Sequence, residues 1–311
     1  MSTESAVITV EHISKSYGGL TAVDDVSFQV ERGEIFGIIG PNGAGKTTTV
    51  EAVIGMRKLD RGAIRVLGLD PRQDAAALRR QIGVQLQQAA LPDAIKVWEA
   101  LDLFASFYPH PADSRRLLED WGLGDKRSSS FQSLSGGQKQ RLFIALALVN
   151  DPVLVFLDEL TTGLDPQSRR STWDLVRSIR DQGKTVVLVT HFMDEAEKLC
   201  DRVAIIDRGK ILALDTPRCL IQTLNDQTRV VFTTSNGFDP AGLRRIPGVT
   251  RALREGDQVT VIGNELPGSP SLLLRTAAAL NELGQAPADL HLEQSSLEDV
   301  FLAVTGRKIR E

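Results

Sequence analysis

Three short segments carry residue types that could handle a nucleoside triphosphate. Gly40 to Thr48 reads GPNGAGKTT, with the apolar run Ile35 to Ile39 before it and a helical pattern after it. This is the strand–loop–helix setting of a phosphate-binding P-loop. Glycines let backbone N–H groups turn inward around phosphate oxygens, and the N-terminus of the following helix adds partial positive charge. The expected cradle is Gly40, Pro41, Asn42, Gly43, Ala44, Gly45, Lys46, Thr47 and Thr48. Lys46 would reach the β- and γ-phosphates of ATP, and the Thr47 hydroxyl would ligate Mg²⁺. The second segment, Leu154 to Glu159 or LVFLDE, is an apolar strand ending in two carboxylates. Asp158 is placed to hold the magnesium shell. Glu159 points to the opposite side of the extended chain and could polarise an attacking water as general base. Alone, such a pair is more often a helix N-cap or a solvated loop; the P-loop upstream favours chemistry. The third segment is Leu134, Ser135, Gly136, Gly137 and Gln138, LSGGQ, opening an apolar helix. Its serine and glycines at a helix start make a second phosphate cradle. One chain does not need two cradles for one nucleotide.

Taken in order, these segments resemble the ATP-binding cassette (ABC) ATPases, whose signature motif is LSGGQ. The resemblance implies that the signature of one copy closes over the γ-phosphate held by the P-loop of another. A homodimer with two shared sites is therefore expected. It also implies roles for residues whose types alone say little. Tyr17, in SKSYGG, falls where an aromatic ring stacks on adenine. Gln87, in IGVQLQQ, matches the Q-loop glutamine that touches magnesium and senses the membrane partner, with Gln85 and Gln88 close by. The implied magnesium set is Thr47, Gln87 and Asp158. Gly163, Leu164 and Asp165 resemble the D-loop that communicates between the two sites. His191, after the strand Val186 to Val189 and Thr190, matches the switch histidine at the γ-phosphate. One position departs: the family commonly has proline after the catalytic glutamate, and this chain has Leu160. Proline would fix φ there, but its loss removes no ligand.

The elements that must position these residues follow from periodicity. Ile35 to Ile39, Val153 to Leu157 and Val186 to Val189 are near-continuous apolar runs suited to a parallel sheet covered on both faces. Helical patterns alternate with them, as in α/β folds. Between Gln87 and Leu134 the pattern turns helical, with Leu101, Phe104, Ala105 and Tyr108 following Val97 and a second helix over Arg115 to Trp121. The fold class expected is a P-loop ABC ATPase core over 1–224, with a helical subdomain inserted at about 88–150. Residues 225–311 are expected to form a small α+β accessory domain. Its order runs strand Arg229 to Thr234, short helix Pro240 to Arg245, hairpin Val249 to Arg254 with Gln258 to Ile262, helix Ser271 to Leu283, strand Ala288 to Glu293. That is the βαββαβ order of a ferredoxin-like domain. A last helix follows, with Ser295 and Glu298 as a capping box and Leu297, Phe301 and Val304 on one face.

Bulk properties narrow the class. At 311 residues the chain exceeds the size of one ordinary core, so two domains are expected. Its 42% hydrophobic and 24% charged residues are those of a globular protein. A net charge of −4 disfavours nucleic acid as partner. Cys200 and Cys219 form no metal-like spacing, in keeping with a reducing compartment. No run approaches the ~20 apolar residues of a membrane span, and the first residues lack a secretory pattern. The expected setting is the cytoplasmic face of a bacterial membrane, beside a separately encoded permease. The tail SSLEDVFLAVTG resembles the ATP-binding subunits of ABC type-2 exporters, and HFMDEAEKLCDRVAIIDRGK favours the drug-efflux side of that branch. Lipid or polysaccharide export is the alternative there. A non-transport ABC ATPase fits less well: the 87–134 interval is too short for a coiled coil, and there is one set of motifs. A metabolite-binding accessory domain lacks any supporting pocket signature.

Overall fold

The computed structural model describes residues 6–87, 89–224, 228–234, 238–293 and 295–306. Strands Ile35–Ile39, Leu154–Asp158 and Thr185–Thr190 are buried at every position. Such strands need cover on both faces, and they form the centre of a six-stranded sheet. Its order is Ile82–Gln85, Leu154–Asp158, Thr185–Thr190, Ile35–Ile39, Arg202–Asp207, Lys210–Asp215. The first five strands run parallel and the last pairs antiparallel. Parallel pairing puts the chain exits of Ile35–Ile39, Leu154–Asp158 and Thr185–Thr190 at one edge. The P-loop, the acidic pair and His191 are those exits, as ligand sites at the carboxyl ends of open α/β sheets generally are.

A second sheet was not read from the sequence. Ala6–Tyr17 pairs antiparallel with Leu20–Glu31 and with Arg61–Val66. Along Ala6–Tyr17 and Leu20–Glu31, Val7, Ile8, Val10, Ile13, Val23, Val26, Phe28 and Val30 are buried. They share one apolar core with Phe36 and Ile38 of the large sheet and with Val50 and Val53 of the helix Lys46–Val53. The P-loop helix is thus clamped between two sheets.

The expected helical insertion comprises Val97–Ala105, Ser114–Asp120 and Gly136–Ala147, the last beginning within the signature segment. Asp113 caps the second of these, accepting from the amides of Arg115 and Arg116. Leu91, Ile95, Val97 and Trp98 are expected to line a groove beside Gln87, and the structure corrects this. Val97 is fully buried core. Leu91 does line a cavity of about 470 Å³, but with Ile54, Leu86, Phe104, Tyr108 and Phe143. A helix starting at Val97 turns that side chain inward.

The chain divides into two compact units, 1–217 and 218–307. In the second, four antiparallel strands follow the order Val249–Glu255, Gln258–Gly263, Thr228–Thr233, Ala288–Glu293. This is the ferredoxin-like arrangement. Val230, Phe232, Val259, Val261 and Leu280 make its core against the helix Leu272–Glu282. The short helix over Pro240–Arg245 is of the tighter 3₁₀ kind. The last helix, Leu297–Thr305, is capped by Ser296 and Asp299, not Ser295 and Glu298. Leu297, Val300 and Phe301 are buried, whereas Val304 is 42% exposed. Among the described residues no helix is long and apolar enough to cross a membrane.

Candidate functional site

The loop from Gly40 is held by backbone that only glycine tolerates. Gly40 has φ 155°, and a Cβ there would lie 2.1 Å from the Ile206 carbonyl oxygen. Gly45 has φ 103°, and its Cβ would meet the Ala22 carbonyl at 2.2 Å. A side chain at Gly40 would collide with the large sheet, and one at Gly45 with the antiparallel sheet. Lys46 opens the helix Lys46–Val53 and is 5% exposed. Its Nζ donates to the carbonyls of Gly40 at 2.8 Å and Pro41 at 3.1 Å. Burial lowers its pKa, and the nearby Glu159 and Asp158 carboxylates oppose that shift.

A cavity of about 410 Å³ is lined by Asn42, Gly43, Ala44, Gly45, Lys46, Thr47 and Thr48 together with Tyr17, Leu20, Ala22, Gln87 and Glu159. Residues from four separate stretches of sequence therefore share one surface. Tyr17 is 40% exposed, with Lys15 Nζ 5.2 Å and Arg57 Cζ 5.9 Å from its ring centre. Leu20 and Ala22 widen the apolar end and were not foreseen; the exposure of Leu20, 72%, is the physical sign.

Glu159 organises the polar end. Its Oε2 accepts from Gln87 Nε2 at 2.6 Å, and its Oε1 lies 3.1 Å from Nδ1 of His191. The side chain is 9% exposed. Its backbone has φ 49°, a left-handed conformation that costs a non-glycine residue ~1–3 kcal/mol and concentrates at functional sites. Asp158, one residue earlier, is 4% exposed. Burial and the Glu159 charge push its pKa up to about 6, against the pull of Lys46.

The competing glutamines separate cleanly. Gln85 is 5% exposed; its Oε1 accepts from the Asp158 amide and its Nε2 donates to the Leu86 carbonyl. It is a strut between strand ends. Gln87 faces the cavity and meets Glu159. Gln88 lies outside the described residues.

None of Leu134, Ser135, Gly136, Gly137 and Gln138 lines this cavity. They form a second cluster with the expected D-loop. Ser135 caps the helix Gly136–Ala147 in a capping box with Gln138. A Cβ on Gly136 would lie 3.9 Å from Leu164, and one on Gly137 3.3 Å from the Ser168 hydroxyl. Asp165 caps the helix Pro166–Asp181, accepting from the amides of Gln167 and Ser168 and from the Ser168 hydroxyl at 2.6 Å. Those hydrogen bonds hold its carboxyl below the usual range. Gly163 provides the positive-φ turn before it, φ 75°.

Whether a divalent cation suits the first cluster can be judged from its donors. Asp158 and Thr47 offer hard oxygens, the kind magnesium takes. Asp158 is a buried carboxyl whose ionised form is disfavoured in this protein alone, so a nearby cation would relieve it. The residues present fit the ion.

A family model described as "ABC transporter" matches residues 23–162. The chain is 37% identical over 313 residues to the Nod factor export ATP-binding protein I of Ralstonia nicotianae, covering 98% of this chain and 95% of that one. It is 39% identical to the protein of the same name from Paraburkholderia xenovorans, covering 98% and 99%. Among solved structures, a Clostridium perfringens protein that is part of an ABC transporter complex superposes with TM-score 0.63 at 27% identity, covering 71% of this chain and 95% of that one. A dimeric ATP-binding cassette in a post-hydrolysis state with ADP and Pi gives TM-score 0.60 at 26% identity, covering 67% and 98%. Full-length likeness of this kind, on a fold with this P-loop, leaves one assignment: the chain belongs to the ABC transporter family as an ATP-hydrolysing, ATP-binding subunit of the exporter type.

Proposed function

We propose that ATP, with Mg²⁺, lies on the P-loop with its phosphates toward Glu159 and its base toward Tyr17. The observation that carries this reading is the convergence of Gln87 and His191 on the two oxygens of Glu159 at the mouth of the P-loop cavity. Thr47, Gln87 and Asp158 would hold the metal, which when bound supplies charge neutralisation at the phosphates. Glu159 accepts the proton of the attacking water, and His191 keeps that carboxylate aimed and contacts the γ-phosphate. Lys46 neutralises phosphate charge from a buried position where its own solvation is poor, which strengthens the attraction.

The signature cluster, Leu134 to Gln138 with Gly163 to Asp165, serves the site of a second copy. Its absence from the lining of the P-loop cavity supports this reading, and so does the dimeric cassette among the solved structures. The membrane partner is a separately encoded integral-membrane permease, and this chain sits against it at the cytoplasmic face. It docks at the apolar cavity of about 470 Å³, which includes Leu86 and Leu91 on either side of Gln87. An exposed apolar hollow of this kind suits a partner helix. Residues 1–224 act as the motor and residues 225–311 as an accessory domain. The cargo is a hydrophobic compound of the drug type, on the resemblance of residues 191–210. A second reading, export of a Nod-factor-like cargo, is favoured by relatives named for that role. Isolating the chain with its native permease and measuring ATP-driven uptake of each cargo class into inverted vesicles decides between them. Failure to retain any membrane protein would overturn the transporter reading.

A further inference from the structure

Glu195 stands on the short helix Met193–Leu199 and is fully buried. A carboxyl four residues past His191 on a helix rich in acids reads from sequence as a solvated face. The structure turns it inward. Its Oε1 accepts from the indole Nε1 of Trp173 at 3.1 Å. Trp173 belongs to the helix Pro166–Asp181, the one that Asp165 caps. The hydroxyls of Thr161 and Thr190 face the same carboxyl, and both threonines are fully buried. Thr161 follows Glu159 by two residues, and Thr190 immediately precedes His191. Among the described residues Glu195 Oε2 and Thr161 Oγ1 have no hydrogen-bond partner, although Thr190 Oγ1 accepts from the Phe192 amide at 3.0 Å.

One buried carboxyl thus touches or faces the segment carrying the Glu159 base, the segment carrying His191, and the helix that follows the D-loop. Around it the two helices are fastened again. Arg169 pairs with Asp194 at 3.7 Å and lies over the Phe192 ring at 4.5 Å, and that ring packs at 4.1 Å from the ring of His191. Burial raises the Glu195 pKa, which favours the neutral acid with one donor and one acceptor. An acceptor for Trp173 and a donor for a threonine hydroxyl are what its surroundings can use.

We propose that Glu195 is a positioning residue that sets the Glu159–His191 pair through Trp173, Thr161 and Thr190. It rests on the roles given above to Glu159 and His191. It acts on the chemical step, because neither Glu195 nor Trp173 lines the P-loop cavity. The test uses the full-length chain, with steady-state ATPase against ATP concentration and thermal unfolding measured side by side. Glu195→Gln is isosteric with the neutral acid and keeps both hydrogen-bonding roles, so its kcat is expected within about twofold of wild type. Glu195→Ala should lose about tenfold to a hundredfold in kcat with KM little changed, as misplaced catalytic groups do. Trp173→Phe keeps an aromatic ring and removes the donor, so it should lose kcat in the same direction. It also serves if Glu195→Ala does not fold. Combined with Glu195→Ala it should add little, since both break one contact.

Wild-type kcat in Trp173→Phe and in a folded Glu195→Ala would overturn the proposal. So would a Glu195→Gln variant as slow as Glu195→Ala, or a change confined to KM. A Glu159→Gln control keeps the two layers apart. Normal turnover in that control removes the catalytic assignment beneath. A dead control beside normal Glu195→Ala and Trp173→Phe removes the positioning role alone.

Discussion

Gln87 and Glu159 lie 72 residues apart in sequence and meet through a hydrogen bond of 2.6 Å. The same carboxyl meets His191 at 3.1 Å through its other oxygen. Both oxygens are thereby oriented, and the backbone beneath is held in a left-handed conformation that an unconstrained glutamate avoids.

Glu159→Gln is expected to keep the shape of this arrangement and remove the base. Turnover should fall by about a hundredfold or more, the usual scale for a general base. ATP affinity should stay within a few fold, and a nucleotide-bound dimer should accumulate. Steady-state ATPase and size-exclusion profiles with MgATP check this; near-normal turnover would remove Glu159 from its role.

Lys46→Ala and Ser135→Arg damage different halves of a shared site. Each homodimer should be nearly inactive, while an equal mixture should contain mixed dimers with one intact site. Mixing should therefore restore ATPase well above the average of the two. Loss of the Ser135 cap also costs the helix Gly136–Ala147 ~1 kcal/mol, so both variants are first checked for folding. A mixture no better than that average would mean that each chain completes its own site.

Asp158→Asn tests the buried carboxyl. Its pKa, pushed up to about 6, lies above the ordinary 3.8, so the folded state binds the extra proton between those values. Stability then falls as pH rises through that window, and the ionised group is a burden above it. In the presence of a chelator, Asp158→Asn should be more stable than wild type at pH 7.5 by ~1–3 kcal/mol. The gain should shrink toward zero below about pH 4. The same change should abolish magnesium-dependent hydrolysis. Thermal unfolding at several pH values reads the first effect, and equal stability at pH 7.5 would contradict it.

Ending the chain after Leu224 should leave ATP binding intact, because every described residue lining the P-loop cavity precedes it. The apolar side of the last helix is already covered at Leu297, Val300 and Phe301 in the single chain, with Val304 outside. Dimerisation of a Glu159→Gln background should accordingly change by no more than about twofold on truncation. Sedimentation with MgATP measures it; loss of the dimer would assign a pairing role to residues 225–311.

The parts legible in the sequence were those where local pattern and chemistry coincide. Ile35–Ile39 followed by GPNGAGKTT allows one backbone path, and Ala288–Glu293 ends where a strand should. Pattern failed where two neighbours are chemically alike. Ser295 and Ser296 are each followed at three residues by an acid, and the structure uses the second pair. Gln85 and Gln87 share a type and differ in face, which the end of a strand leaves open. The antiparallel sheet of Ala6–Tyr17 and its neighbours escaped notice because its strands are long and bulged, with register shifts that break simple alternation. Glu195 was invisible for a different reason: a buried acid among exposed ones carries no mark in the one-dimensional record.

The separation of LSGGQ from the cavity that holds the P-loop also bears on when the protein is active in a cell. On the two-chain reading, specific activity must climb with protein concentration, and a solitary copy can load fuel yet not burn it. Newly made subunits that have not met a permease are then kept idle by dilution. The permease, by gathering two copies at one place, becomes the switch that starts consumption.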